Sequence, residues 1–204
     1  IGLTPHTGSG RPPVLSGLEI VRTGDSAKPK PVSYRYPPRW PKDKPEMLIK
    51  AVADSRVSVS EKDRNEAGNV SLLMDGGAET MNDKAYSMLY LKFDLSSVPG
   101  KPIAVKLRLQ CLGPGSQKVG DVYQTGTDWE EKGITFNKQP TRGRRIGKIG
   151  RVNEKARVEE RLVFVDPDAK ELSLLLQPTS TDGIHFGSRE SATPPEFVVV
   201  YEPR

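Results

Sequence analysis

Positively charged side chains are the residues of this chain whose number and spacing predict a chemical role. The segment from Lys138 to Arg161 holds nine basic residues against three glutamates, so it carries +6, and the rest of the chain sums to about zero. A local positive charge attracts acidic partners, most strongly at low salt, and a solvated basic loop is the alternative interpretation. Within this segment we take Arg144 and Arg145 as candidate ligand-binding residues.

Two alternating stretches predict where further charges lie. Residues 90–95 and 105–110 each alternate apolar with polar side chains, and this period of two is typical of strands with one buried face. Because a short turn joins the two stretches, we expect adjacent strands of one sheet with their cations together on its water-facing side. Lys92, Lys106 and Arg108 are therefore candidate ligand-binding residues, and an ordinary solvated sheet face is the alternative.

Two tyrosines accompany these cations. Tyr90 falls on the water-facing side of the first alternating stretch, and Tyr123 lies in a later strand-like segment. We take both rings as candidates for stacking on sugar rings. The interleaved aromatics that a nucleic-acid stacking platform needs are missing from the basic segment, so we do not expect nucleic acid as the partner.

Catalytic motifs are absent from the sequence, and we expect neither enzyme activity nor a cofactor. His6 lies in a proline-rich segment, and His185 stands between two apolar residues, as a strand residue would. No His-Glu-x-x-His, nucleophile elbow or paired-cysteine motif occurs. Adjacent carboxylates such as Glu130 and Glu131 point to opposite faces of a strand, which separates them for acid–base work.

Three carboxylates leave a metal site open as an alternative. Asp54, Asp75 and Glu190 offer the hard oxygen ligands that calcium prefers. The interpretation that we favour is an ion pair between Arg189 and Glu190, with Asp54 capping a turn. We therefore expect no metal, with a structural calcium as the alternative.

Short apolar segments separated by turn signals predict an all-β fold. After residue 47 these signals recur about every ten residues, a spacing typical of an antiparallel β-sandwich of the jelly-roll type. Pro99 and Pro102 are expected to interrupt the strand ladder, since neither has a backbone N–H, and residues 152–162 to be mostly irregular. Strands are expected at residues 48–53, 56–60, 70–74, 90–95, 105–109, 118–124, 161–165, 172–176, 184–186 and 197–201.

Residues 1–47 differ in composition from the rest of the chain. They hold nine of the 18 prolines and little apolar periodicity, which favours an extended arm that cannot bury a core by itself. We expect residues 48–204 to form the sandwich, and the arm to dock on its own domain or on a neighbour through Tyr34, Tyr36 and Trp40. No apolar run approaches the length of a membrane span, so we expect no membrane insertion.

A series of short motifs resembles a known family. The segments Ala53–Val57, Tyr90–Pro99, Val105–Leu109, Trp129–Pro140 and Ser188–Pro195 occur in an order that is similar to the DNRLRE domain, also classed as carbohydrate-binding module family 96. The resemblance covers about residues 48–203 and does not include the arm. It departs from the family pattern at Phe136, where a tryptophan is more usual, and in the longer and more charged segment 142–161.

The resemblance implies a β-sandwich jelly roll attached to extracellular bacterial proteins that degrade polysaccharides or lie on the cell surface. Some members of the family bind acidic polysaccharides such as alginate. We therefore expect a non-catalytic, secreted or cell-surface bacterial module that binds an acidic polysaccharide through its cationic sheet face and basic loop. The alternative is a structural subunit of a secreted or surface assembly, docked to other protein subunits through its arm.

Overall fold

The computed structural model describes residues 39–163 and 168–203 of the chain, and that part is built from β-strands and turns without a helix. Tyr34 and Tyr36, and most of the predicted arm, lie outside the described residues. The strands are β1 (Glu46–Lys50), β2 (Ala53–Ser58), β3 (Ser71–Met74), β4 (Ser87–Asp94), β5 (Gly100–Gln110), β6 (Gly120–Thr125), β7 (Arg142–Ile149), β8 (Arg157–Leu162), β9 (Glu171–Pro178), β10 (Ile184–Gly187) and β11 (Glu196–Pro203).

Two antiparallel sheets face each other across the main core. The four-stranded sheet has the order β1-β11-β5-β8, the five-stranded sheet the order β2-β4-β9-β6-β7, and β10 pairs with β3 in a small third sheet. Phe93 of β4 stacks on Phe197 of β11 with 3.7 Å between the ring centroids, so one aromatic from each sheet meets its counterpart in the core. The predicted antiparallel β-sandwich is confirmed.

The apolar alternation of β4 and β5 explains why both strands pack on this core. Leu91 and Phe93 of β4, and Leu107 and Leu109 of β5, are 0–2% exposed and belong to one apolar cluster. Each buried side chain of this size stabilises the fold by about 1.5–3 kcal/mol relative to an exposed one. Alternation therefore predicted correctly which residues of these two strands form the core, with Tyr90 as the exception.

The prediction that β4 and β5 are neighbours in one sheet is wrong. The turn between them passes from the five-stranded to the four-stranded sheet, so their apolar faces meet across the core and do not lie side by side. Because each strand turns its polar side away from the core, Lys92 and Lys106 lie on opposite outer surfaces of the sandwich. A single cationic face formed by Lys92, Lys106 and Arg108 does not exist.

The basic segment is also ordered differently from the prediction. Most of it forms β7, which pairs with β6, and β8, which pairs with β5, in place of a loop. Both are edge strands, and their inward apolar side chains are few, namely Ile146 and Ile149 in β7 and Val158 and Leu162 in β8. Strand pairing in the tertiary structure therefore overrides a local composition that favours irregular structure.

Pro102 lies inside β5, contrary to the prediction that it interrupts the ladder. It is paired with Tyr201 of β11, directly beside the point where the register shifts between Val200 and Tyr201. A proline is tolerated at such an irregularity because the local ladder is already broken there.

A second, smaller core covers part of the outer surface of the five-stranded sheet. Residues 126–141, which we call the groove loop, fold over this surface and bring Trp129 and Ile134 against Tyr90 and Leu175. Tyr90 is only 1% exposed as a result. The prediction that Tyr90 faces water is therefore wrong, because β4 is covered on both sides.

Candidate functional site

The groove loop and the sheet beneath it form two adjoining clefts. The larger, of about 670 Å³, lies within the loop between Asp128, Glu130 and Lys138. The smaller, of about 320 Å³, lies between the loop and the sheet, with Met88 and Leu175 in its apolar part. Gln139 and Pro140 line both clefts, so together they form one surface depression, which we call the groove.

Arg142 is held in place at the sheet end of the groove. Its Nη1 donates a hydrogen bond of 2.8 Å to Oε1 of Gln177, and its guanidinium lies 4.8 Å from the centroid of the Tyr123 ring. Gln177 is fixed in turn, because its Nε2 donates to the hydroxyl of Tyr86 at 2.9 Å. An arginine positioned in this way loses little conformational entropy when it binds an anion.

Tyr90 supports the groove from below. Its hydroxyl donates a 2.7 Å hydrogen bond to Oε1 of Gln139, and Nε2 of Gln139 donates to the carbonyl oxygen of Phe136 at 2.6 Å. Burial raises the pKa of Tyr90, so the phenol stays protonated and able to donate. The ring is not accessible for stacking on a sugar, and Tyr90 instead fixes the side chain of a groove residue.

The remaining predicted residues of the five-stranded sheet lie around the groove. Tyr123 is half-buried beneath Arg142, and Arg145 beside it is exposed and forms a 3.3 Å ion pair with Asp121. Arg144 is exposed on the same edge strand, β7. The structure thus brings Tyr123 close to the groove and places Arg144 and Arg145 on the neighbouring edge.

Lys92 holds the groove loop. Its Nζ donates to the backbone carbonyl of Trp129 and lies 4.8 Å from the centroid of the Trp129 ring. Trp129 is also fixed from the other end, because its indole N–H donates to Oγ of Ser173 at 2.7 Å. The ammonium group of Lys92 is therefore engaged with the loop and is not displayed as part of a cationic sheet face.

Lys106 and Arg108 lie on the four-stranded sheet, away from the groove. Both bond to the carboxylate of Glu159, Lys106 through Nζ at 2.8 Å and Arg108 through Nε at 2.6 Å. These contacts lower the pKa of Glu159, and the hydrogen bond from Lys106 has the largest effect. Trp40 packs on the same surface, with Lys106 Nζ 4.6 Å from its ring centroid and its indole N–H donating to Glu46 at 2.8 Å. Docking of the arm on another subunit stays a prediction.

An ion-pair cluster anchors the groove loop at Glu131. This carboxylate accepts hydrogen bonds from the backbone N–H of Asp54 at 3.0 Å and from Nε and Nη2 of Arg189 at 3.1 and 2.7 Å. The backbone N–H of Arg189 donates to Oδ2 of Asp54 at 2.6 Å. Burial raises the pKa of Asp54 to about 7, and the charges of Glu190 and Glu131 act in the same direction.

The calcium candidates are only partly brought together. Carboxylate oxygens of Asp54, Glu131 and Glu190 lie within 4.8 Å of one another, whereas Asp75 accepts the backbone N–H of Gly77 in a separate turn. Nη2 of Arg189 lies 3.0 Å from Glu190 as well as bonding Glu131, so a guanidinium already supplies the positive charge that these carboxylates need. This donor set does not fit a calcium ion without displacing Arg189.

Sequence reasoning missed four residues that shape this site, namely Glu131, Gln139, Arg142 and Gln177. Arg142 is one of the nine basic residues of segment 138–161, and no local pattern distinguishes it from the others, because its contacts with Tyr123 and Gln177 join three different strands. Gln139 and Glu131 carry a weak signal, since both fall in the motif Trp129–Pro140 that supports the family resemblance. No periodicity identifies any of the four.

Fold and site together define a class of protein: a β-sandwich module with a shallow groove, lined by polar and aromatic residues, on one sheet surface. The chain belongs to carbohydrate-binding module family 96, whose family model matches residues 45–201. No curated protein matches the chain. In the part of the chain that the structure describes, no helix is long and apolar enough to cross a membrane.

Proposed function

We propose that this carbohydrate-binding module is a non-catalytic, extracellular domain that binds an acidic polysaccharide in the groove of its five-stranded sheet. The observation that supports the proposal is the guanidinium of Arg142, fixed by Gln177 and by the Tyr123 ring at the sheet end of that groove. Residues of the four-stranded sheet, including Lys106 and Arg108, take no part.

The chemistry of the groove matches that of a carboxylated sugar. A guanidinium is planar and presents paired N–H donors that fit a carboxylate, and Arg142 keeps donors beyond the one that it gives to Gln177. The amide of Gln139 lines the groove where sugar hydroxyls would lie, and the half-buried ring of Pro140 offers apolar contact for the C–H face of a sugar. This mixture of a few placed polar groups and an apolar patch is typical of ligand sites.

The positive charges beside the groove add a long-range attraction. Arg144 and Arg145 are exposed on β7, and Lys148 follows them on the same edge strand. Exposed charges of this kind raise the association rate of an anionic polymer and are screened by salt within about 8 Å at physiological ionic strength. Affinity for the polysaccharide should therefore fall as salt is added.

Calorimetric titration with alginate and with a neutral glucan tests the proposal. We expect binding of alginate alone, and Arg142→Gln should weaken it about tenfold or more, since a hydrogen bond to a charged group contributes about 1.5–3 kcal/mol. Arg108→Gln makes the same charge change on the opposite sheet and should bind like the unaltered protein. Equal losses in both variants, or no binding of any acidic polysaccharide, would refute the proposal.

A further inference from the structure

The groove does not have one sign of charge along its length. Its larger cleft is lined by the carboxylates of Asp128 and Glu130 against the single ammonium of Lys138, and all three side chains are exposed. Its smaller cleft is lined by the guanidinium of Arg142 and by no carboxylate. The loop end of the groove is therefore net negative, and the sheet end is positive.

The two carboxylates of the loop end are not used to hold the fold. Asp128 and Glu130 form no side-chain hydrogen bond or ion pair within the described part of the chain. The next residue, Glu131, differs from them, because its carboxylate pairs with Arg189 in the ion-pair cluster. The side chains of Asp128 and Glu130 flank Trp129, whose position is fixed by Ser173 and Lys92. Their carboxylates are thus free to accept hydrogen bonds from the hydroxyl groups of a sugar in the larger cleft.

A polymer with a carboxylate on every sugar fits this pattern poorly. If one carboxylate of such a chain lies at Arg142, the next sugars place further carboxylates in the cleft beside Asp128 and Glu130. Like charges placed close together oppose binding. They contribute to specificity, because they lower the affinity for the wrong ligand without raising the affinity for the right one. A neutral sugar in the same cleft brings no like charge and meets the carboxylate acceptors together with the donors of Lys138 and the amides of Asn137 and Gln139.

We propose, resting on the function proposed above, that the preferred ligand is a heteropolysaccharide whose carboxylated sugars are separated by neutral ones. Arg142 binds a uronate carboxylate at the sheet end, and Asp128 and Glu130 select a neutral sugar at the loop end. The two acidic residues are specificity-determining residues that lower the affinity for a homopolymer of uronates.

The test compares three polymers of similar length by calorimetry at low salt: polyuronate, hyaluronan and a neutral glucan. In hyaluronan, uronate alternates with a neutral amino sugar derivative. EDTA is included so that no divalent ion bridges polymer and protein carboxylates. We expect hyaluronan to bind more tightly per carboxylate than polyuronate. Asp128→Asn and Glu130→Gln should each raise the affinity for polyuronate about 1.5- to fivefold, the range expected for exposed charge pairs, and leave hyaluronan nearly unchanged.

Glu79→Gln supplies the control, because it makes the same change in net charge at an exposed residue that lines neither cleft. An equal gain in Glu79→Gln would show a general charge effect and overturn the inference. Tighter binding of polyuronate than of hyaluronan by the unaltered protein would overturn it as well, while leaving the proposed function intact. Failure of every acidic polymer to bind would instead refute the proposed function itself.

Discussion

Nη2 of Arg189 lies 2.7 Å from Oε2 of Glu131, and this ion pair joins the turn after β10 to the loop that forms the groove. The contact spans 58 residues of sequence. Asp54 of β2 bonds to both partners through its backbone and its carboxylate, so three separate segments meet at this point. The shape of the groove therefore depends on residues that do not line it.

Arg189→Gln should loosen the groove loop and destabilise the domain. The change leaves Glu131 beside Asp54 and Glu190 without a neutralising charge, and we expect a loss of about 1–2 kcal/mol in the free energy of unfolding, since Arg189 is partly exposed. Urea unfolding and amide exchange of residues 128–137 measure the two effects. Arg64→Gln, which removes an exposed pair with Glu61, is the control and should cost less than about 1 kcal/mol. Equal effects of the two substitutions would contradict the anchoring role.

Stability should fall as pH rises from about 4 to about 7. The pKa of Asp54 is about 7 in the folded protein against an ordinary value of 3.8, so the folded state binds this proton more tightly than the unfolded state does. The contribution of this proton to stability is complete below about pH 4, where both states hold it, and is lost as pH rises through 7. Burial also raises the pKa of Glu66, which adds to the trend.

Asp54→Asn isolates the contribution of Asp54, because the amide oxygen can still accept the N–H of Arg189 while the side chain no longer titrates. Urea unfolding at pH 4.5, 6 and 7.5 should show a smaller decline in this variant than in the unaltered protein, with the difference on the order of a few kcal/mol. Asp83, whose pKa is lowered to about 2 by backbone hydrogen bonds from Glu79 and Ala85, affects stability only below this range. Parallel pH profiles of the two proteins would show that Asp54 does not titrate as stated.

Leu107→Ala should cost about 2–5 kcal/mol of unfolding free energy, because the side chain is 0% exposed in the main core and its removal leaves a cavity. Leu48→Ala is the matched control, since Leu48 of β1 is 47% exposed. Chemical denaturation should give a loss for Leu48→Ala that is several times smaller. A loss below about 0.5 kcal/mol for Leu107→Ala would mean that the core has been placed wrongly.

A chain that begins at Pro45 should keep the sandwich folded, because β1 starts at Glu46 and retains its whole pairing with β11. It loses the contacts of Trp40 with Lys106 and Glu46, for which we expect a cost of about 1 kcal/mol. Thermal unfolding measures this cost, and the native particle size of the long and short chains tests docking on another subunit. Unfolding of the short chain would instead make the arm an integral part of the fold.

Alternation of apolar and polar residues was sufficient to predict the strands around Leu91 and Leu107 and the sandwich that they build. A sequence period of two indicates which side of a strand is buried, because successive side chains point to opposite faces. The period does not indicate which other strand is its neighbour in the sheet. The strands β4 and β5 show this limit. Their inward faces were predicted correctly, but the two strands belong to opposite sheets, so Lys92 and Lys106 lie on opposite outer surfaces.

The sequence by itself determined the all-β class, the inward residues of most strands, the family and the positive charge of segment 138–161. Only the tertiary structure decided the site. Tyr90 became a buried support because a distant loop folds over its outer face, and Arg142 became the anion-binding candidate because β6, β7 and β9 place Tyr123 and Gln177 beside it. Local patterns encode burial and propensity, whereas contacts between segments far apart in the chain depend on strand order and on loops that no periodicity describes.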